Sequence, residues 1–385
     1  MDSLTAQVPL TTLHTASASD SGVAVDAPRP KTERIAYIDM ARGLFLILMA
    51  STHAMTLADI PATSPLADWG LPRGWATTGL IMLCGFMVAT FAREMQERAR
   101  IRHRVLRRAK QVLLVMFASN VLMVVVKRVV THETDPLFSL DWWVGLLFFR
   151  SESSISGVLL PIALFLLVSP LLVALYDGCR SKVYGVTLTA GLLFFVALTW
   201  SVQALTADGH GTHDALSAMF GAGAGGFPVI PMVASGALGF LVGIVWQAPR
   251  ERLDGRTTLG IVMLFIGTSQ LLSTVPMILA PFVARTLMDV SHLLLILMLA
   301  IVITQWEPSQ RGLRFIPVLG RFSLLTFLAH RVVEQTLALG LRPFHLPGEL
   351  VYAVCLGGGV FGSLAFILLR RRFAGYDRVL RAVYL

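Results

Sequence analysis

The sequence predicts an all-α protein: a polytopic membrane bundle of about ten transmembrane helices, with both termini in the cytoplasm. Three observations predict it. Of 385 residues, 55% are hydrophobic and only 14% are charged, where soluble domains carry about 25%. Ten apolar runs approach the roughly 20 residues that a helix needs to cross a bilayer. Lys and Arg also fall unevenly along the chain, gathering in the two tails and in alternate loops, as the positive-inside bias requires.

The apolar runs lie at 35–58, 74–92, 111–130, 155–176, 183–204, 228–247, 257–279, 286–305, 318–339 and 349–370. Residues 1–34 are rich in Ser, Thr, Ala and Pro and read as a disordered cytoplasmic tail with no secretory signal. Residues 35–370 read as one ten-helix domain, and 371–385 as a basic cytoplasmic tail. The connection 93–110 carries eight Lys or Arg, which sets that side as the cytoplasm. The stretch SLDWWVGLLFF (139–149) is too short to span, and its paired tryptophans suit an interfacial helix on the outer surface. Gly236, Gly239 and Gly243 in the sixth run, and Gly357 to Gly359 in the tenth, allow close helix contacts. Pro161, Pro170, Pro231 and Pro276 interrupt apolar runs.

Composition excludes several function classes. A mean hydropathy of +0.70 rules out a soluble enzyme, a disordered protein and a disulfide-stapled secreted domain. The net charge of +9 is explained by topology, so no nucleic-acid partner is expected. Cys84, Cys179 and Cys355 read as free thiols. No Walker loop, HExxH or GxSxG is present. His210 and His213 (HGTH) lack further ligands nearby, so no metal site is expected.

Ionisable residues at bilayer depth are costly, which makes each a candidate site. In the first run Asp39 and Arg42 are three residues apart and can pair on one face. Arg42 and His53 are eleven apart, three turns plus roughly 20°. Asp39, Arg42, Leu46, Met49 and His53 therefore form one stripe about 21 Å long, running from the cytoplasmic mouth to the outer half of the membrane. Its polar members are either an interfacial anchor and a buried, hydrogen-bonded histidine, or a site whose imidazole acts as a general base. His330 and Glu334 share a face of the ninth run, and Asp289 and His292 a face of the eighth. These pairs either join helices by hydrogen bonds or line a water-filled pocket open to the outside. Arg331 can pair with Glu334. The run RIRHRVLRRAK (100–110) sets Arg100, Arg104, Arg107 and Arg108 on neighbouring turns. It serves topology and anionic lipid, or it grips phosphate through arginine forks.

In Asp39, Arg42 and His53, the pattern D-x-x-R followed by ten residues and His resembles the membrane acyltransferase-3 superfamily, which includes OpgC-type succinyltransferases of periplasmic glucans. IMLCGFMVATF (81–91) is similar to the family's F-x-x-S-G-F/Y element, with Cys84 where the family has Ser. RHRVLRRA (102–109) resembles its basic R-x-x-R stretch through Arg104 and Arg107. VLGRFSLLTFLAHRVV (318–333) resembles its late G-x-x-S-x-x-x-[YF]-L-x-H element through Gly320, Ser323, Phe327 and His330. GVLLPIALFLLVSPL (157–171) resembles an OpgC-type helix.

The resemblance implies transfer of an acetyl or succinyl group from cytoplasmic acyl-CoA, a substrate rather than a bound cofactor, to a sugar hydroxyl of a cell-envelope glycan. The expected home is a bacterial inner membrane. The expected partners are the lipid bilayer, acyl-CoA and the glycan, and assembly into a homo-oligomer is compatible with the chain. The implied roles are His53 as base, or as carrier in an acyl-histidine, and Arg42, held by Asp39, orienting the donor. Arg104, Arg107 and Arg108 would grip donor phosphates. His330 and Glu334, with Asp289 and His292, would place the acceptor or shape a proton path. The alternative is a transporter or flippase that uses the same polar chamber.

Overall fold

The computed structural model describes residues 36–61, 64, 75–94, 98–131, 156–177, 182–207, 228–247, 260, 263–264, 266–268, 271, 280–305 and 312–382. Among the described residues the longer helices are α1 (Ala36–Leu57), α2 (Trp75–Glu94), α3 (Arg98–Thr131), α4 (Ser156–Asp177), α5 (Lys182–Ala207), α6 (Val229–Gln247), α7 (Ala280–Gln305), α8 (Phe315–Arg321), α9 (Ser323–Leu341), α10 (Gly348–Arg372) and α11 (Ala374–Ala382), with a short 3-10 turn at Arg342–Phe344. No strand occurs among them. Among the described residues, six helices are long and apolar enough to cross a membrane, or seven if the bent pair Phe315–Arg321 and Ser323–Phe344 counts as one.

Helix α1 is the hub. It packs against α8, α7, α10, α9 and α2 and buries Ile38, Ala41, Phe45, Leu46, Met49 and Ala54. In lipid, helices gain little from burying apolar surface against each other, so tight backbone approach matters more. Glycines provide it at two joints. Between α2 and α6, a Cβ on Gly85 would strike the carbonyl of Gly236, and one on Gly239 would strike that of Met82. Between α1 and α8, a Cβ on Gly43 would strike the carbonyl of Ile316, and one on Gly320 that of Asp39. Gly357, by contrast, faces open space, so that member of the triple glycine makes no helix contact.

Four expectations are revised. The apolar run 318–339 is not one straight helix. It breaks at Phe322, and the two parts meet at a bend of 103°. A broken helix leaves backbone groups without their intrahelical partners, and these must be satisfied elsewhere. Here the Thr326 hydroxyl crosses the break and donates to the Leu319 carbonyl at 3.0 Å. Second, the basic stretch before the third run is no loop: residues 98–110 continue α3 as helix, 34 residues in all, about 51 Å at 1.5 Å per residue. Third, Pro161 and Pro170 lie inside an unbroken α4. The Ser169 hydroxyl donates to the Leu166 carbonyl at 2.9 Å, the group that Pro170 leaves without an amide donor. Pro231 falls in the first turn of α6, where a missing N–H costs little. Fourth, part of the C-terminal tail is ordered as α11, clamped by an Arg370–Asp377 ion pair of 2.9 Å.

Of the apolar part of α5, Tyr184–Thr199 is shorter than a span. The N-terminal tail, the tryptophan segment 139–149, Cys179, the HGTH pair, Pro276 and most of the run 257–279 lie outside the described residues.

The α1–α8 joint generates a stability prediction. Gly320→Val forces the two backbones apart and lowers the unfolding temperature in detergent, by an amount equivalent to about 1–3 kcal/mol. Gly191→Val, at a position with nothing within 4 Å, leaves it near that of the parent. Equal melting of the two variants would contradict the packing described.

Candidate active site

Polar side chains gather in three places along α1 and its neighbours. At the N-terminal end of α1, Arg42 Nη1 donates to Asp39 Oδ1 at 3.2 Å, the pairing that their three-residue spacing predicts. The other Arg42 nitrogen points to the sulfur of Met87 on α2. Cys84, one turn earlier on α2, lies within electrostatic reach of Arg42 and of Arg108 from α3. Two guanidinium groups from different helices thus approach one thiol, and they interact with each other.

Of the three arginines expected to hold a donor, Arg108 is the one brought to Arg42. It also donates to Gln111 Oε1 at 3.2 Å. Arg104, one turn earlier on α3, has its guanidinium 5.1 Å from the centre of the Phe91 ring of α2. Arg107 is exposed. The side chain of Arg100 is not among those described.

Eleven residues along α1, His53 meets α9. Its imidazole stacks on that of His330, with ring centres 5.7 Å apart and planes 19° apart. His330 is 1% exposed, and Phe327 sets its edge against the ring at 5.6 Å. The orientation of His330 follows from the helix break. Thr326 carries two bonds: its hydroxyl reaches back to Leu319, and its carbonyl lies 2.9 Å from His330 Nδ1. Only a protonated Nδ1 can donate to a carbonyl, so in the neutral ring Nε2 carries the lone pair. That Nε2 is buried and has no hydrogen-bond partner among the described residues. The Ser363 hydroxyl of α10 also approaches the Thr326 carbonyl, at 3.5 Å.

One turn further on α9, Glu334 is fully buried. Neither carboxyl oxygen has a hydrogen-bond partner among the described residues. Its carboxyl lies against Gly359 of α10, where a Cβ would stand 2.6 Å from Oε1. Arg331 is within electrostatic reach of His53, His330 and Glu334. Three buried acceptor atoms without partners among the described residues, beside a cation, make a buried polar cluster, referred to below as the chamber.

Asp289 and His292 belong to a separate cluster on α7. Asp289 interacts with Arg285, and the His292 ring lies 4.4 Å from that of Trp75 on α2. Trp75 in turn meets Phe45 edge-on at 6.2 Å. Both Trp75 Nε1 and His292 Nδ1 are buried without hydrogen-bond partners among the described residues.

Sequence reasoning missed three residues of these clusters. Thr326 carried a signal, as a hydroxyl four residues before a histidine in an apolar run. Gly359 sat in the glycine triple without a named neighbour. Trp75, at the edge of a span, looks like any interfacial tryptophan. The stripe on α1 holds as a face, but its two ends meet different helices: Arg42 meets α2 and His53 meets α9. Among the described residues no group of three His, Cys, Asp or Glu is arranged to hold a metal.

The profile of the acyltransferase-3 family, an acyltransferase domain, matches residues 35–369. The match covers most of the chain and every cluster described above, and the chain belongs to this family. Its apolar helices and this membership make it an integral membrane protein of the acyltransferase class. No curated protein matches it.

The chamber generates a paired prediction. Gly359→Ala puts a methyl group into the Glu334 carboxyl and is expected to lower acyl transfer about tenfold or more, the scale of a displaced group at a reacting centre. Gly357→Ala, two residues away and open, leaves turnover near the parent value. Turnover of the purified variants, normalised to folded protein, checks both.

Proposed function

We propose that this membrane acyltransferase takes an acetyl or succinyl group from acyl-CoA on the cytoplasmic side. It delivers that group to a sugar hydroxyl of a periplasmic or cell-envelope glycan, as OpgC-type members do. In this reading the chain sits in a bacterial inner membrane with ten spans and both termini cytoplasmic. The observation that carries it is the stacked His53–His330 pair, set beside a buried carboxyl and three helical turns along α1 from an arginine pair.

The residues divide the work by position. Arg42, fixed by Asp39, and Arg108 receive the phosphates of the donor, with Arg104 and Arg107 on the same basic helix supporting them. The flexible arm of the donor then runs along α1 toward His53, about 16 Å further at 1.5 Å per residue. His53 accepts the proton of the acceptor hydroxyl as its oxygen attacks the thioester carbonyl. The carbon–sulfur bond breaks, the sulfur leaves as thiolate, and the proton held by His53 returns to it as the thiol. An alternative order, in which the acyl group rests on His53 before the sugar attacks, uses the same residues. The bare Nε2 of His330 and the Glu334 carboxyl offer acceptors for the sugar hydroxyl or for a proton in transit. Asp289 and His292 offer a second polar surface for the glycan.

A second reading draws on the broken helix. Discontinuous helices often build substrate sites in transporters, and α8 and α9 meet at 103°. Movement of an unmodified glycan or anion across a liposome containing the purified protein would favour it.

The direct test uses purified protein, radiolabelled acyl-CoA and a periplasmic glycan fraction. His53→Ala is expected to lower label transfer by about 10²–10⁴-fold while the variant still folds and inserts. Transfer at the parental rate would remove His53 from the reaction. His330→Phe keeps a stacked ring but deletes Nε2. It is expected to lower kcat with little change in KM for the donor.

A further inference from the structure

Outside the chamber, one ring gathers three cations. The guanidinium carbons of Arg321, Arg370 and Arg371 lie 5.8, 5.3 and 5.5 Å from the centre of the Phe322 ring. Phe322 is the residue at which the span breaks. The residues around it come from four helices: Leu319 and Val318 from α8, Leu325 from α9, Ile367 from α10, and Tyr376 and Leu380 from α11.

Charge here is poorly balanced. Arg370 is committed to Asp377 at 2.9 Å. Among the described residues neither Arg321 nor Arg371 has a carboxylate partner, and both are exposed. Arg372 and Arg378, also exposed, add to the excess. Like charges held around one ring repel each other unless an anion joins them. A guanidinium resting on an aromatic face keeps its N–H edge available, and that edge matches the oxygens of a phosphate. The position is fixed as well. Gly320, two residues before Phe322, is seated on the Asp39 carbonyl, so the cluster shares an end of α1 with the Asp39–Arg42 pair.

We infer that Arg321 and Arg371, held around Phe322, form a binding site for a phosphate ester. The ester comes either from the headgroup of an anionic phospholipid or from the nucleotide part of a coenzyme A thioester. The site goes beyond acyl transfer: it uses neither His53 nor the chamber, and its test reads binding rather than turnover.

The test uses the full chain purified in neutral detergent and two probes. One is coenzyme A; the other is phosphatidylglycerol in phosphatidylcholine nanodiscs. The double variant Arg321→Gln/Arg371→Gln removes the two unpartnered cations and keeps the Arg370–Asp377 clamp. Arg102→Gln removes an exposed cation elsewhere. The double variant is expected to bind one of the probes at least about tenfold more weakly, while Arg102→Gln binds as the parent does. Arg321→Lys/Arg371→Lys is expected to recover part of the loss.

Weakening for coenzyme A alone assigns the site to the donor, and weakening for phosphatidylglycerol alone assigns it to lipid. Unchanged binding of both probes overturns the site, as does an equal loss with Arg102→Gln. Should the double variant fail to fold, Arg371→Gln alone, at an exposed side chain, gives the same reading. A parental His53 assay with lost probe binding, or the reverse, separates the failure of this site from the failure of the acyl-transfer proposal.

Discussion

A helix that stops and restarts must hand its freed carbonyls to some other donor, and in this protein Thr326 takes that task. Its hydroxyl closes the gap to Leu319, and its carbonyl holds the Nδ1 of His330. The same residue therefore permits the bend and aims the imidazole. On the near side of the bend, Gly320 and Gly43 bring the α8 and α1 backbones together. On its far side, α9 presents His330 to His53. Local backbone chemistry, helix packing and the polar chamber form one chain of causes.

Much of the bundle was legible from hydropathy alone, because the bilayer makes length and apolarity nearly sufficient to define a span. α1, α2, α4, α6, α7 and α10 all start and end close to the bounds that the apolar runs predict. The break at Phe322 was not legible. Phe322 is neither proline nor glycine, and Gly320, Arg321 and Ser323 around it do not by themselves stop a helix. What decides the break is tertiary: the seating of Gly320 on α1 and a threonine placed to satisfy Leu319. The length of α3 was hidden for a different reason. A dense basic run reads as a solvent loop by charge, while its arginines and alanine also favour helix.

The site was partly legible. Spacing on one helix fixes which side chains share a face, so the Asp39–Arg42 pair and the shared face of His330 and Glu334 followed from arithmetic. Spacing does not say which helix comes opposite. The stacking of His53 on His330 and the approach of Arg108 to Arg42 depend on packing between segments far apart in the chain. So does the turn of Arg104 onto Phe91. Cys84 shows the same limit: its place in the motif was visible, but the electrostatic reach of Arg42 and Arg108 to it needed the fold.

The account as a whole rests on His53 facing an acyl donor that enters from the Arg42 end of α1. A structure of the protein bound to a non-transferable acyl-CoA analogue tests this most directly. The account predicts the acyl carbonyl carbon at near-attack distance for an acceptor oxygen beside His53, about 3–3.5 Å from the site of that oxygen, with the donor phosphates between Arg42 and Arg108. A donor whose carbonyl lies away from the His53–His330 pair, or whose phosphates leave Arg42 and Arg108 untouched, would contradict it.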